Sequence, residues 1–163
     1  MNGVKMEKIA KVKLIYRKVL QVSCVALLVP MLITIGIQVL MRYVFNSPLV
    51  WSEEFARFCM IWLAMLATCL VKFEDQHIAM QGLIKLSKNQ TKITSIIAKI
   101  SVFVITLLLL ITGAVITVKT QNQVSPAMQI PMSMVFCSIP ISAGLILVGE
   151  IIKFLEQKYI KTN

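Results

Sequence analysis

Arg42, Glu53, Glu54 and Arg57 crowd the edges of two long apolar stretches, and no other charges in the chain are better placed to do chemistry. Ionisable groups at membrane depth relay protons, hold ions or pair with another chain. Glu53 and Glu54 precede Arg57 by four and three residues, so on a helix they occupy faces neighbouring it. Local neutralisation is one account: Ser52 caps the helix, the two acids complement its positive end, and Arg57 pairs with one of them and snorkels. That account employs one acid and leaves the second, and Arg42, without an assignment. The other account pairs one of these charges with another helix or another protein, and side-chain chemistry alone leaves both open.

The remaining reactive groups are sparse. His77 is the only histidine, so the chain cannot supply the two axial ligands of a bis-histidine haem. A structural or interfacial role on the cytoplasmic side is expected for it. Cys24, Cys59, Cys69 and Cys137 lack metal-type spacing and read as free buried thiols. Glu150 sits about one turn from the end of the last apolar run, with Lys153 a turn further on. No nucleophile and base stand together, so catalysis, a bound cofactor and a metal are not expected.

The elements that position these groups follow from the solvent. The 163 residues are 58% hydrophobic and 15% charged, with a mean hydropathy of +0.82, more than a soluble domain can carry without large exposed apolar patches. We read an all-α integral membrane protein with four spans at about residues 19–40, 52–73, 96–118 and 130–154, each near the ~20 residues needed to cross hydrocarbon. A β-barrel would alternate polar and apolar residues, whereas the run from Ile105 to Ile111 is almost uniformly apolar. The whole chain makes one membrane domain. Residues 1–18 form a basic amphipathic lead-in, with Ile9, Val12, Tyr16 and Val19 at helical spacing, continuous with an uncleaved first helix. Between the second and third spans, apolar residues interleaved with Lys85 and Lys88 suit either a short interfacial helix or a solvated loop.

Lysines and arginines set the orientation. One set of flanks holds fourteen of them, from Lys5 to Lys18, from Lys72 to Lys99 and from Lys153 to Lys161, against only Arg42 and Lys119 on the other. Both termini are therefore expected in the cytoplasm. The net charge of +10 is a topology signal that anchors the chain to anionic phospholipid, and it requires no nucleic acid. Tyr43 and Trp51 fall at the opposite, periplasmic interface, where aromatic belt residues belong.

The stretch from Gln38 to Phe58, reading QVLMRYVFNSPLVWSEEFARF, resembles the signature of the small membrane subunit of tripartite ATP-independent periplasmic (TRAP) transporters, the DctQ-like or Q subunit. The resemblance continues through Trp62 to His77-Ile78 and covers the four-helix pattern, including Ile130-Pro131 and Pro140. Around the histidine the chain departs from the family pattern. Asp75-Gln76 stand where a glycine is usual shortly before it, and Gln81 stands where an acid is usual four positions after it. The resemblance implies an inner-membrane scaffold that binds no substrate itself. Its partners would be a large multi-helix M subunit, which carries the sodium and substrate sites and moves as an elevator, and a periplasmic solute-binding protein, the P subunit. The cargo would be an organic acid, such as sialic acid, another sugar acid or a C4-dicarboxylate. Arg42, Tyr43, Asn46, Trp51, Ser52, Glu53, Glu54 and Arg57 become candidates for subunit contact or docking.

Two other classes share the size and hydropathy of this chain. A four-helix proton-coupled exporter needs an acid well inside a helix, and the acids here sit near helix ends. A membrane anchor for a redox enzyme would show haem or quinone spectra. The expected orientation has a direct check: a cysteine placed at Gln121 should react with a membrane-impermeant maleimide added to intact cells, and one placed at Thr162 should not. The reverse pattern would refute it.

Overall fold

A computed structural model describes residues 2–83 and 90–161, and among them the regular elements are helices: α1 (Asn2–Tyr43), α2 (Val50–Leu83), α3 (Gln90–Lys119), α4 (Met132–Phe136) and α5 (Ser138–Lys161). Four stretches are long and apolar enough to cross a membrane, namely Ile9–Tyr43, Val50–Glu74, Ile100–Lys119 and Met132–Phe154, the last made by α4 and α5 together. The basic lead-in is simply the start of α1. With 42 residues α1 is about 63 Å long at 1.5 Å per residue, roughly twice the ~30 Å of hydrocarbon, so a large part of it extends beyond the apolar layer or tilts.

After the second span the structure has no separate interfacial helix up to Leu83. Instead α2 continues unbroken through Glu74, Asp75, Gln76 and His77. Neither glycine nor proline occurs between Val50 and Gln81, so nothing in the local sequence stops it. Residues 84–89, also part of the expected interfacial segment, lie outside the described residues.

Two prolines shape the chain where it turns or bends. Pro48 cannot donate to a continuing helix, and Asn46 just before it takes a left-handed backbone (φ 50°) that asparagine tolerates better than most residues. Together they end the first helix. Pro140 removes the N–H that would bond to the carbonyl of Phe136, and the helix is interrupted there, between α4 and α5.

The helices pack out of sequence order. α2 lies between α1 and α5, α5 lies between α2 and α3, α1 also touches α5, and α3 rests on α5 and α4 with at most marginal contact to α1 or α2. The result is an open layer rather than a closed ring. Leu20, Leu66 and Cys69 form its small core where α1, α2 and α5 meet, wrapped by Tyr16, Cys24, Leu27, Leu145 and Ile146. The Tyr16 hydroxyl donates to the Leu145 carbonyl at 2.7 Å, linking the first helix to the last.

Among the glycines of the described residues, Gly113 is the most tightly packed. A Cβ there would sit 2.7 Å from Ile139 Cγ2 and 2.9 Å from Pro140 Cδ, whereas one at Gly36 or Gly144 would meet nothing within 4 Å. Gly149 is the next most crowded, a Cβ there meeting Phe73 Cδ2 at 3.2 Å and the Tyr16 hydroxyl at 3.3 Å. Near the chain termini, charges pair across helices, with Arg17 Nε 2.8 Å from Glu74 and Lys72 Nζ 3.9 Å from Glu150. Buried Lys153 donates to the Lys72 carbonyl at 3.1 Å, its ammonium 4.8 Å from the centroid of the Phe73 ring.

Replacing Gly113 with valine should force α3 off α5 and cost about 1–3 kcal/mol, the usual range for overpacking. Thermal unfolding in detergent, followed by tryptophan fluorescence, should show a lower midpoint for Gly113→Val and an unchanged one for Gly144→Ala. Equal midpoints would contradict the packing described.

Candidate functional site

The charged residues singled out above gather at one end of the layer, where the α1–α2 connection meets the segment between α3 and α4. Ser52 lies in the first turn of α2 rather than at its cap. Its hydroxyl donates to the Leu49 carbonyl at 2.6 Å, and the side chain is fully buried at 0% exposure. Helix geometry then sends the next two residues in different directions.

Glu53 points along the exposed side, where its carboxylate accepts a hydrogen bond from Gln38 Nε2 at 3.1 Å and so ties α2 back to α1. Glu54 turns inward to the other connection. Its two oxygens accept from the backbone N–H of Ala127 at 3.1 and 3.2 Å, and one of them also accepts from the N–H of Met128 at 2.9 Å. The Ser125 hydroxyl is a further hydrogen-bond partner. One carboxylate thereby occupies donors that would otherwise be orphaned in a short loop between two membrane helices.

The loop is built to present those donors. Val124 and Pro131 form an isolated antiparallel bridge, Ser125 N–H donates to the Ile130 carbonyl at 2.9 Å, and Met132 N–H donates to the Gln123 carbonyl at 2.8 Å. Gln129 takes a left-handed backbone (φ 55°) that closes the turn, and its N–H returns to the Ser125 carbonyl at 3.2 Å. Ser125 is completely buried inside it. Trp62 pins the following segment, its indole N–H donating to the Met134 carbonyl at 3.2 Å.

The two arginines face outward. Arg57 is exposed, and among the described residues it has neither a hydrogen bond nor an ion pair within 4.0 Å; the attraction acting on it is the longer-range pull of Glu54, three residues back. Neither acid forms the close pair with Arg57 that local neutralisation supposed. Arg42 is exposed too, its guanidinium 5.9 Å from the Tyr43 ring centroid. Arg42, Asn46 and Glu53, with Gln38, Pro48, Leu49 and Val50, line an open groove of about 520 Å³. Trp51 and Tyr43 are exposed, the former packed edge-on against Phe55 with ring centroids 6.5 Å apart. His77 is far from this end, on the extension of α2 beyond its span.

A family model describing the DctQ component of tripartite ATP-independent periplasmic transporters matches residues 31–158. The chain belongs to that family. It is similar to two proteins of Haemophilus influenzae named as TRAP transporter small permease proteins, at 37% identity over 41% of this chain and 42% of the first, and at 28% over 77% of this chain and 77% of the second. It is also similar, at 29% over 68% of its own length, to a stretch making up 18% of the sialic acid TRAP transporter permease protein SiaT from the same species. The matched part thus spans less than half of the first relative and about a fifth of the third. The family is a transporter component and not an enzyme class.

Gln38, Ser125 and the amides of Ala127 and Met128 belong to the site without having been assigned to it from sequence. Gln38 lay inside the quoted signature, but backbone donors have no sequence signal. If Glu54 holds the loop, Glu54→Ala should speed hydrogen exchange at the Ala127 and Met128 amides by an order of magnitude or more, whereas Glu53→Ala should not. Unchanged protection in Glu54→Ala would remove the carboxylate from this role.

Proposed function

We propose that this chain is the small, non-substrate-binding subunit of a secondary-active TRAP transporter, acting as a fixed scaffold for a large permease subunit. The family match over residues 31–158 carries the reading. Supporting it, the chain resembles 18% of the longer permease protein SiaT, so in that relative a homologous segment and a much larger permease share one polypeptide. A large permease is therefore the natural counterpart of a segment of this family.

The division of labour agrees with the chemistry of the spans. A carboxylate or sodium site at the midplane needs free polar side chains or opened backbone. Here the hydroxyls of Thr68, Thr106, Thr112 and Thr117 donate to the carbonyl four residues earlier in their own helices. Glu54, the acid nearest to being a site, is spent on the loop. Sodium coupling and cargo recognition therefore fall to the large subunit, with an organic acid as cargo, the class to which the sialic acid of one relative's name belongs. The fourteen-to-two charge asymmetry supports placing both termini in the cytoplasm of a cell with an inner membrane, which turns the groove and the Glu54-held loop toward the periplasm and a solute-binding protein.

Sodium-driven uptake in vesicles containing the large subunit, the solute-binding protein and this chain should fall at least tenfold when this chain is left out. A large subunit that transports equally well alone would refute the scaffold role, and transport by this chain alone would overturn the assignment of labour.

A further inference from the structure

Arg57 presents an electrostatic problem that the described residues do not solve. It lies seven residues into α2, about 10 Å along the axis from Val50. Glu54 is held by two backbone amides and Ser125, and Glu53 by Gln38, so neither carboxylate closes on the guanidinium. A permanently charged group with five donors stands exposed on the side of a membrane helix.

The face below it carries two small residues between larger ones. Going down α2 from Arg57, the exposed positions are Met60, Ala64, Thr68 and Val71, at steps of three or four residues and hence on one side. Thr68 Oγ1 donates to the Ala64 carbonyl at 2.8 Å, which leaves two small, hydrogen-bond-satisfied residues four apart, the spacing that lets a second helix approach closely. The exposed surface of α3 is richer in bulky groups suited to acyl chains, Phe103, Leu107, Leu108, Ile111, Val115 and Val118, with Thr112 and Ala114 among them. Above Arg57 the same side of α2 carries Glu53 and leads into the groove beside Arg42.

We propose that this side of α2 receives a transmembrane helix of the large permease subunit, seated against Ala64 and Thr68 and carrying a carboxylate that meets Arg57. The inference rests on the scaffold reading above and adds to it the face and the partner's chemistry. Charge complementarity selects the occupant: an acid on a protein helix is held at fixed depth beside small residues, whereas a lipid phosphate would leave Ala64 and Thr68 against mobile chains with nothing to fit them.

The test places a photo-crosslinking residue singly at Met60, Ala64, Thr68 and, on the far side of the layer, Leu108, in this chain co-expressed with the large subunit of its own system. The large subunit should co-purify with the unmodified chain, and illumination should attach it at Met60, Ala64 and Thr68 but not at Leu108. Co-purification with attachment only at Leu108, or only lipid adducts on α2, would overturn the proposed face while leaving the scaffold reading in place; absence of co-purification would overturn both. Arg57→Glu should lower recovery of the large subunit on the order of tenfold or more, as expected for reversing one member of a buried charge pair, with Arg57→Lys recovering part of it. Wild-type recovery for Arg57→Glu would overturn the carboxylate.

Discussion

Lipid offers no hydrogen bonds, so every polar group that enters a span must find its partner within protein, and the architecture of this chain follows from that constraint. The threonines of α2 and α3 answer it locally by bonding back along their own helices. Ser138 and Ser142 do likewise, each donating to the carbonyl three residues before it. Tyr16 and Cys69 answer it across helices, through the carbonyls of Leu145 and Ser142. Polar atoms thus act as joints between helices that share few buried apolar side chains.

Glu54 is the same constraint worked in reverse. A carboxylate near the end of a membrane helix would be costly alone, and so would the free amides of a loop packed between two spans. Each removes the other's cost. The loop gains a fixed shape, and the ends of α2, α3 and α4 are tied together at one level. Arg57, one turn deeper, has no such counterpart among the described residues, and the contrast between neighbours three residues apart separates a charge used for folding from the one on which the proposed interface rests.

Much of this was legible beforehand. Hydropathy and the ~20-residue length requirement locate four spans because lipid imposes both on any helix that crosses it. Residues 38–58 carried the family. Other features were hidden for definite reasons. Glu54 bonds to main-chain amides, which every residue possesses, so nothing in Ser125-Pro126-Ala127-Met128 advertises a carboxylate-binding turn. Gly113 stands in a run of leucines, isoleucines and valines with the look of lipid-facing helix, and its importance depends on Ile139 and Pro140 lying opposite, a matter of helix order. After Lys72 apolar and basic residues interleave, a pattern that suits an interfacial helix or a solvated loop; as far as Leu83 it is equally content as one more stretch of α2.

The order of helices across the layer bears on how such a chain is made. Neighbours in sequence usually become neighbours in space, and α1 and α2 can pair as soon as both have entered the membrane. α3 finds no comparable seat on that pair. Its surface is matched by α4 and α5, which are synthesised after it, so the third span must wait in the bilayer until the fourth slides between it and the second. α5, made after α3, is therefore the wedge that completes the layer, and the compact turn held by Glu54 is the tether that keeps the waiting span within its reach.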